Sequence, residues 1–303
     1  MEISTRALRA KRSCASGYRW FTRRFKTPAG YQQIIDALVD DGRIDDACWL
    51  LDRFGAIDAV RIVDAIDAEA CVFAGSLQVQ HGVEMQGLLR VGGALRVHGG
   101  LRTGGALVVD GDLHAAAGLR SGGPLRCGGQ LAAGWSVVTA GALRCDGELR
   151  VRGDLDCAGP LRVGGSAVVD GMLTVDGAIH CDKSLRAGAG IDCSDGLRAG
   201  HGVQAALSIR SGMHIDAGWG IVAGADIAAE GAIRAGECIV SGGRIEAGAG
   251  YGLYAGLNAR RDAWPSCGRV VSRTRPQGLQ SGLWAPAPEL APPACEPAPE
   301  ALS

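Results

Sequence analysis

Apolar side chains recur at every sixth residue over more than half of the chain. From Leu77 to Leu257 each sixth position is apolar, and the position two residues later carries no charged side chain from Val79 to Ala259. Two buried positions separated by one outward residue form a short β-strand, and the glycines that follow indicate a tight turn. Stacked copies of such a strand pair their backbones about 4.8 Å apart and share one core. The pattern therefore predicts a stacked repeat.

The repeat predicts a mainly β protein, a single-stranded parallel β-solenoid of six-residue faces with a small α-helical N-terminal domain. Three faces give an 18-residue coil, so residues 71–257 make about ten coils with no inserted loop. The predicted segments are a basic arm over 1–26, a helical N-terminal domain or cap over 27–64, the solenoid over 65–257, a C-terminal cap over 258–284 and a disordered proline-rich tail over 285–303.

The glycine positions change halfway along the repeat. In the first half glycine usually takes the fifth position of the hexad, as Gly153 does in the hexad 149–154. In the second half it usually takes the fourth position, as Gly218 does in the hexad 215–220. Because glycine is favoured where φ is positive, we expect two turn types with positive φ at different corners.

The N-terminal segment has a basic part followed by two helical patterns. Residues 1–26 contain eight Lys or Arg against the single acid Glu2. A helical pattern begins after Pro28 and ends at Gly42, and a second helix is predicted over about 44–53. The basic part also carries aromatic side chains, which leave open whether it packs or stays a disordered arm. These aromatic residues are Tyr18, Trp20, Phe21 and Phe25.

Composition narrows the class of function. The net charge of −1 argues against a general nucleic-acid coat, and no run of 18 apolar residues predicts a membrane helix. The chain starts without an apolar signal segment, and its eleven cysteines lack zinc-like spacing. We therefore expect a cytoplasmic protein with no cofactor, no metal site and no catalytic residue.

The uninterrupted hexads with a different segment at each end resemble the bactofilin-like, polymer-forming β-solenoid proteins. The resemblance covers about 71–257, lies in the pattern and implies a filament-forming scaffold whose bare solenoid ends stack. The helical N-terminal segment and the aromatic C-terminal segment depart from that family. Coils such as 215–220 also resemble poorly characterised phage and mobile-element proteins, which implies an inhibitor of a host defence complex.

Hexapeptide acyltransferases are the alternative solenoid family. Their coils place a small residue two positions before the aliphatic one, whereas here the small position follows it. The residue directly after the aliphatic one is most often arginine, as at Arg96 and Arg102. The unbroken register also leaves no loop for a catalytic cleft, so the acyltransferase hypothesis is the weaker one.

One outward face of the predicted solenoid is rich in arginine. With 18 residues per coil, that face holds six arginines among nine outward positions, which are Arg90, Arg126, Arg144, Arg162, Arg198 and Arg234. Stacked guanidinium groups suit an acidic protein surface or a phosphate backbone. The alternative is a solvated face that nearby aspartates neutralise.

Other candidate contacts lie at the turns, in the basic arm and among the cysteines. Trp135 and Trp219 occupy turn positions that face solvent, where they either anchor a partner or pack on a neighbouring corner. The basic arm offers Arg19, Arg23 and Arg24. Cys127 and Cys145 stack on adjacent coils, where they form either a disulfide or metal site or, more simply, small core residues.

The sequence thus predicts a non-enzymatic protein that binds another macromolecule. The expected partner is a protein or a nucleoprotein complex, and direct nucleic-acid binding would use the basic arm or the arginine face. No membrane contact is expected. A homo-oligomer is compatible with the pattern, and a self-assembling scaffold is the alternative function.

Overall fold

The computed structural model describes residues 1–287 and confirms the parallel β-solenoid. Three parallel sheets form its faces, and neighbouring strands within a sheet are 18 residues apart through the regular coils. A small helical region precedes the solenoid. None of the described helices is long and apolar enough to cross a membrane.

Sheet 1 has 13 strands and contains both the first and the last strand of the solenoid. Its strands are Val60–Val63, Ser76–Val79, Leu95–Val97, Leu113–Ala115, Leu131–Ala133, Leu149–Val151, Ala167–Val169, Leu185–Ala187, Val203–Ala205, Ile221–Ala223, Ile239–Ser241, Arg269–Ser272 and Leu283–Pro286.

Sheet 2 has 11 strands. They are Ile66–Ala68, Val83–Met85, Leu101–Thr103, Leu119–Ser121, Val137–Thr139, Leu155–Cys157, Leu173–Val175, Ile191–Cys193, Ile209–Ser211, Ile227–Ala229 and Ile245–Glu246.

Sheet 3 has 12 strands and carries the predicted arginine face. They are Cys71–Phe73, Leu89–Val91, Leu107–Val109, Leu125–Cys127, Leu143–Cys145, Leu161–Val163, Ile179–Cys181, Leu197–Ala199, Ile215–Ala217, Ile233–Ala235, Leu253–Tyr254 and Leu279–Ser281.

Each three-residue strand buries its first and third side chains and turns the second outward. In the strand Leu161–Val163, for example, Leu161 and Val163 are buried and Arg162 is exposed. Polar residues at the third position are tolerated because they bond to turn carbonyls, as Ser121 Oγ donates to the carbonyl of Gly123 at 2.9 Å. The core is therefore a set of stacked columns that runs the length of the rod.

The expectation of positive φ at the repeat glycines is wrong. Between residues 66 and 245 only Gly177 has a positive φ. Glycine instead permits close approach of adjacent coils: a Cβ on Gly134 would lie 1.9 Å from the carbonyl oxygen of Ala116, one coil earlier. The shift of glycine between hexad positions therefore changes where coils approach closely, and most turns keep an ordinary φ.

The sheets continue at both ends of the regular hexads. Sheet 1 begins with Val60–Val63, before the range predicted for the solenoid. After Ile245 the 18-residue spacing is lost, yet Arg269–Ser272, Leu279–Ser281 and Leu283–Pro286 still join the sheets in parallel. A short helix, Trp264–Cys267, lies between these strands. The predicted disordered tail lies outside the described residues from 288 onward.

Four helices form the N-terminal region: α1 (Thr5–Ala10), α2 (Ala15–Arg24), α3 (Tyr31–Asp40) and α4 (Ile44–Phe54). Both predicted helices over 27–55 are present as α3 and α4. The basic residues 1–26 are also folded, because Leu8 and Phe21 are buried in one core with α3 and α4. An antiparallel strand pair, Glu2–Ile3 with Ala29–Gly30, closes this region.

The helical region covers one edge of the solenoid. Gln32 of α3 donates through Nε2 to the carbonyl of Val72 at 3.0 Å and accepts the Ala74 N–H at 2.8 Å. These are backbone groups at the outer edge of the first strand of sheet 3, where no further strand pairs. A side-chain amide thus replaces the missing neighbour and satisfies groups that an open edge would expose.

Candidate macromolecule-binding surfaces

The pairing register places the predicted arginine face on sheet 3, as one column of outward side chains. Arg126 lies beside Arg144, and Arg144 lies beside Arg162. The column continues through His180, Arg198 and Asp216 to Arg234. We call the exposed members Arg126, Arg144, Arg162, Arg198 and Arg234 the arginine ladder.

Nearby aspartates neutralise part of the arginine ladder. Arg144 Nε donates to Asp146 Oδ1 at 2.7 Å, and Arg234 Nη1 lies 3.4 Å from Asp216 Oδ1. The remaining three members, Arg126, Arg162 and Arg198, form no ion pair with any described residue. The ladder is therefore both a partly compensated face and a source of three unpaired guanidinium groups.

Arg90 is the exception on this face, because it belongs to the junction with the helical region. It is only 8% exposed. Its guanidinium donates two bonds of 2.8 Å to the carboxylate of Asp110 and one of 2.7 Å to Asp52 Oδ1 on α4. These contacts occupy Arg90 in holding α4 on the solenoid, so it is not an accessible member of the ladder.

The predicted basic arm contributes a surface of helix α2. Arg19, Arg23 and Arg24 are exposed on the side of α2 opposite the buried Phe21. Together with Ser16, Trp20, Asp41 and Arg43 they line a shallow groove of about 500 Å³. We call Ser16, Arg19, Trp20, Arg23, Arg24 and Arg43 the basic helix surface.

Two fixed side chains shape the basic helix surface. Trp20 Nε1 donates to Asp41 Oδ2 at 2.6 Å, which holds the indole in place. Arg43 donates through Nη2 to Ser16 Oγ at 3.0 Å and also pairs with Asp46. In contrast, Arg19, Arg23 and Arg24 form no ion pair within residues 1–287. Their charge is therefore available to an anionic partner.

The two predicted tryptophans lie at different corners of the rod. Trp135 stands between sheets 1 and 2 and is 68% exposed. Trp219 stands between sheets 3 and 1, where it stacks on His201 with ring centroids 4.1 Å apart. The structure therefore does not bring them into one surface, and Trp219 partly packs on the preceding coil.

The cysteines of the solenoid are core residues. Cys127 and Cys145 are adjacent in register, but both are buried free thiols. Cys127 Sγ donates to the carbonyl of Gly111 at 3.3 Å, and burial raises the pKa of Cys193 to about 11. Protonated thiols that serve the backbone are small apolar core residues. Among the described residues no group of three or more His, Cys, Asp or Glu is placed to hold a metal ion.

The hexad analysis missed a groove on sheet 2. It is lined by Arg102 and Arg120, which the arginine count had set aside, together with Trp135. A signal for it exists in the chain, because glycine recurs with the coil period at Gly82, Gly100 and Gly118. In a glycine-rich repeat that signal is not distinguishable from turn glycine without the coordinates.

Comparison with known proteins gives information on the helical region alone. No curated protein and no solved structure matches the chain. The bactofilin-like and mobile-element resemblances therefore gain no named relative. Residues 1–54, which hold α1 to α4, match the family model of the YdhT N-terminal domain.

Proposed function

We propose that this chain binds an acidic macromolecule through the basic helix surface and works without catalysis. The observation that carries the proposal is the set of three exposed arginines without ion pairs, Arg19, Arg23 and Arg24, on one side of a packed helix. Guanidinium groups recognise carboxylates and phosphates through paired hydrogen bonds. Because α2 is anchored by its opposite side, binding does not need to order a flexible arm first.

The solenoid would serve as a rigid support and second contact. The unpaired members of the arginine ladder offer weaker attraction along the rod, since they are separated by neutralised positions. A protein or nucleoprotein complex with an acidic surface fits this arrangement. A mobile-element inhibitor of a host defence complex is one narrower form of the proposal, and it stays a prediction.

We expect charge reversal on the basic helix surface to abolish binding to anionic probes. The variant Arg19→Glu/Arg23→Glu/Arg24→Glu changes the local charge by six without touching the buried Phe21. Fluorescence anisotropy with labelled polyglutamate, single-stranded DNA and duplex DNA should show at least about a tenfold loss of affinity. Binding by the unmodified protein should also weaken steeply with salt.

The matched control reverses the same charge elsewhere. The variant Arg126→Glu/Arg144→Glu/Arg162→Glu also changes six charges, but on the arginine ladder. Loss of binding in the helix variant alone supports the proposal, whereas loss in the ladder variant alone moves the site to sheet 3. Full binding by both variants, with native circular dichroism, would contradict the proposal.

A self-assembling scaffold is the second candidate, favoured by the open end of sheet 1. The strand Val60–Val63 has no partner on its outer side, and Val60 and Ile62 are 68% and 63% exposed. Unpaired edges with apolar side chains are templates for pairing with another chain. A bactofilin-like scaffold would use such an end for axial stacking.

Removal of the helical region distinguishes a cap from a scaffold. Deleting residues 1–55 uncovers the edge at Val72 and Ala74, so we expect the discrete full-length species to become large aggregates or filaments. Light scattering and electron microscopy measure this. Filaments formed by the full-length protein, and lost in a Val60→Lys/Ile62→Lys variant, would instead support the scaffold and contradict the capping role.

A further inference from the structure

The largest cavity on the described part of the molecule is a groove on the outer face of sheet 2. It has a volume of about 690 Å³ and crosses five successive coils. Trp135 forms one wall near its far end, with Val138 beside it. An exposed indole beside a groove is a typical anchor for an apolar side chain of a partner.

Charged side chains line the groove in a fixed order. The pairing register places Asp67 beside Glu84, Glu84 beside Arg102, and Arg102 beside Arg120. Val138 follows Arg120, at the level of Trp135. Arg102 Nη1 lies 3.8 Å from Glu84 Oε1, whereas Asp67 and Arg120 form no ion pair with a described residue. The groove therefore has an acidic end, a basic middle and an apolar end.

The floor of the groove lacks side chains where the fold would accept them. A Cβ on Gly100 would have its nearest neighbour, the carbonyl oxygen of Gly118, at an ordinary 3.8 Å. The φ of Gly100 is not positive. Later coils carry Asp154 and Met172 at the equivalent position. Coil geometry does not require glycine here, and its presence keeps the groove open.

We propose that this groove binds an extended peptide segment of mixed charge. Its basic residue faces Asp67 and Glu84, its acidic residue faces Arg102 and Arg120, and its apolar side chain contacts Trp135. The charge order favours a peptide over a nucleic acid, because two carboxylates would repel a uniformly anionic strand at one end. This site is separate from the basic helix surface and goes beyond the function proposed above.

The spacing fits an extended chain. Alternate side chains of a strand lie about 6.7 Å apart, and adjacent coils lie about 4.8 Å apart. The distance from Glu84 to the midpoint of the arginine pair is one and a half coil spacings, about 7 Å, and a further step of about 7 Å reaches the level of Trp135. A five-residue core with charged, charged and aromatic residues at alternate positions therefore matches the groove.

The probes are fluorescent peptides whose core is lysine, serine, glutamate, serine and tryptophan, made in both chain directions with glycine flanks. In the control peptides lysine and glutamate exchange places. We expect at least one ordered peptide to bind the full-length protein about tenfold more tightly than its exchanged control. The Trp135→Ala variant should weaken that binding about tenfold. Equal binding of ordered and exchanged peptides, or tighter binding of single-stranded oligothymidylate, would overturn the proposal.

Two variants separate the groove from other surfaces. Gly100→Met fills the groove with a side chain that the equivalent Met172 shows to be tolerated, and it should abolish peptide binding. Ser208→Met makes the same change at an equivalent position six coils later and should leave binding unchanged. Arg102→Glu/Arg120→Glu should reverse the preference toward the exchanged peptide. The Arg19→Glu/Arg23→Glu/Arg24→Glu variant should bind the peptide normally, and unchanged binding by Gly100→Met would refute this site.

Discussion

Replacing Leu161 by aspartate is expected to destabilise the solenoid more than any other single change considered for the rod. Leu161 is 1% exposed and stacks between Leu143 and Ile179 in the core column of sheet 3. Aspartate would remove a buried apolar side chain and leave a carboxyl group without a partner among apolar neighbours. We expect a loss of at least about 4 kcal/mol in the free energy of unfolding and a fall of about 10 °C in Tm.

The adjacent residue supplies the control. Arg162 points outward from the same strand, so Arg162→Asp should change the free energy of unfolding by no more than about 0.5 kcal/mol. Thermal unfolding followed by circular dichroism measures both variants. Comparable destabilisation by the two substitutions would mean that the inward and outward positions of the hexad are wrongly assigned.

Replacing Arg90 by methionine is expected to loosen the helical region from the solenoid. Methionine retains most of the apolar stem, so the change chiefly removes the three bonds to Asp52 and Asp110. Both aspartates are partly exposed and regain water, which limits the loss to about 2 kcal/mol. Hydrogen–deuterium exchange should increase in α3 and α4 and at the backbone amide of Ala74, which Gln32 protects.

Arg126→Met is the matched variant, because Arg126 occupies the same column two coils later without an ion pair. It should leave exchange in the helical region unchanged. If Arg90→Met and Arg126→Met gave the same exchange profile, the Arg90 contacts would not contribute to docking of α4.

The period of six was sufficient to predict the solenoid and its register. Apolar residues at two positions of each hexad can be buried together only if each strand pairs with the strand 18 residues away. For that reason the neighbours Arg126, Arg144 and Arg162 followed from arithmetic on the chain. The two helices after Pro28 were equally predictable, because their apolar spacing and the glycines that end them are local signals.

The turns were less predictable from the chain. Glycine serves either a positive φ or a close approach, and both produce the same letter in the sequence. Only the distance between coils shows that Gly134 meets the carbonyl of Ala116. The fold of residues 1–26 was also open, since the burial of Phe21 depends on α3 and α4 being present to cover it.

The candidate surfaces divide in the same way. The sequence by itself determined which side chains point outward and which of them share a column, because a strict repeat fixes both. The tertiary structure decided which of these side chains remain available. Arg90 is held by Asp52, a partner 38 residues away that no local pattern links to it. The groove beside Trp135 depends on the open space above Gly100, and such a space is a property of stacked coils that composition does not show.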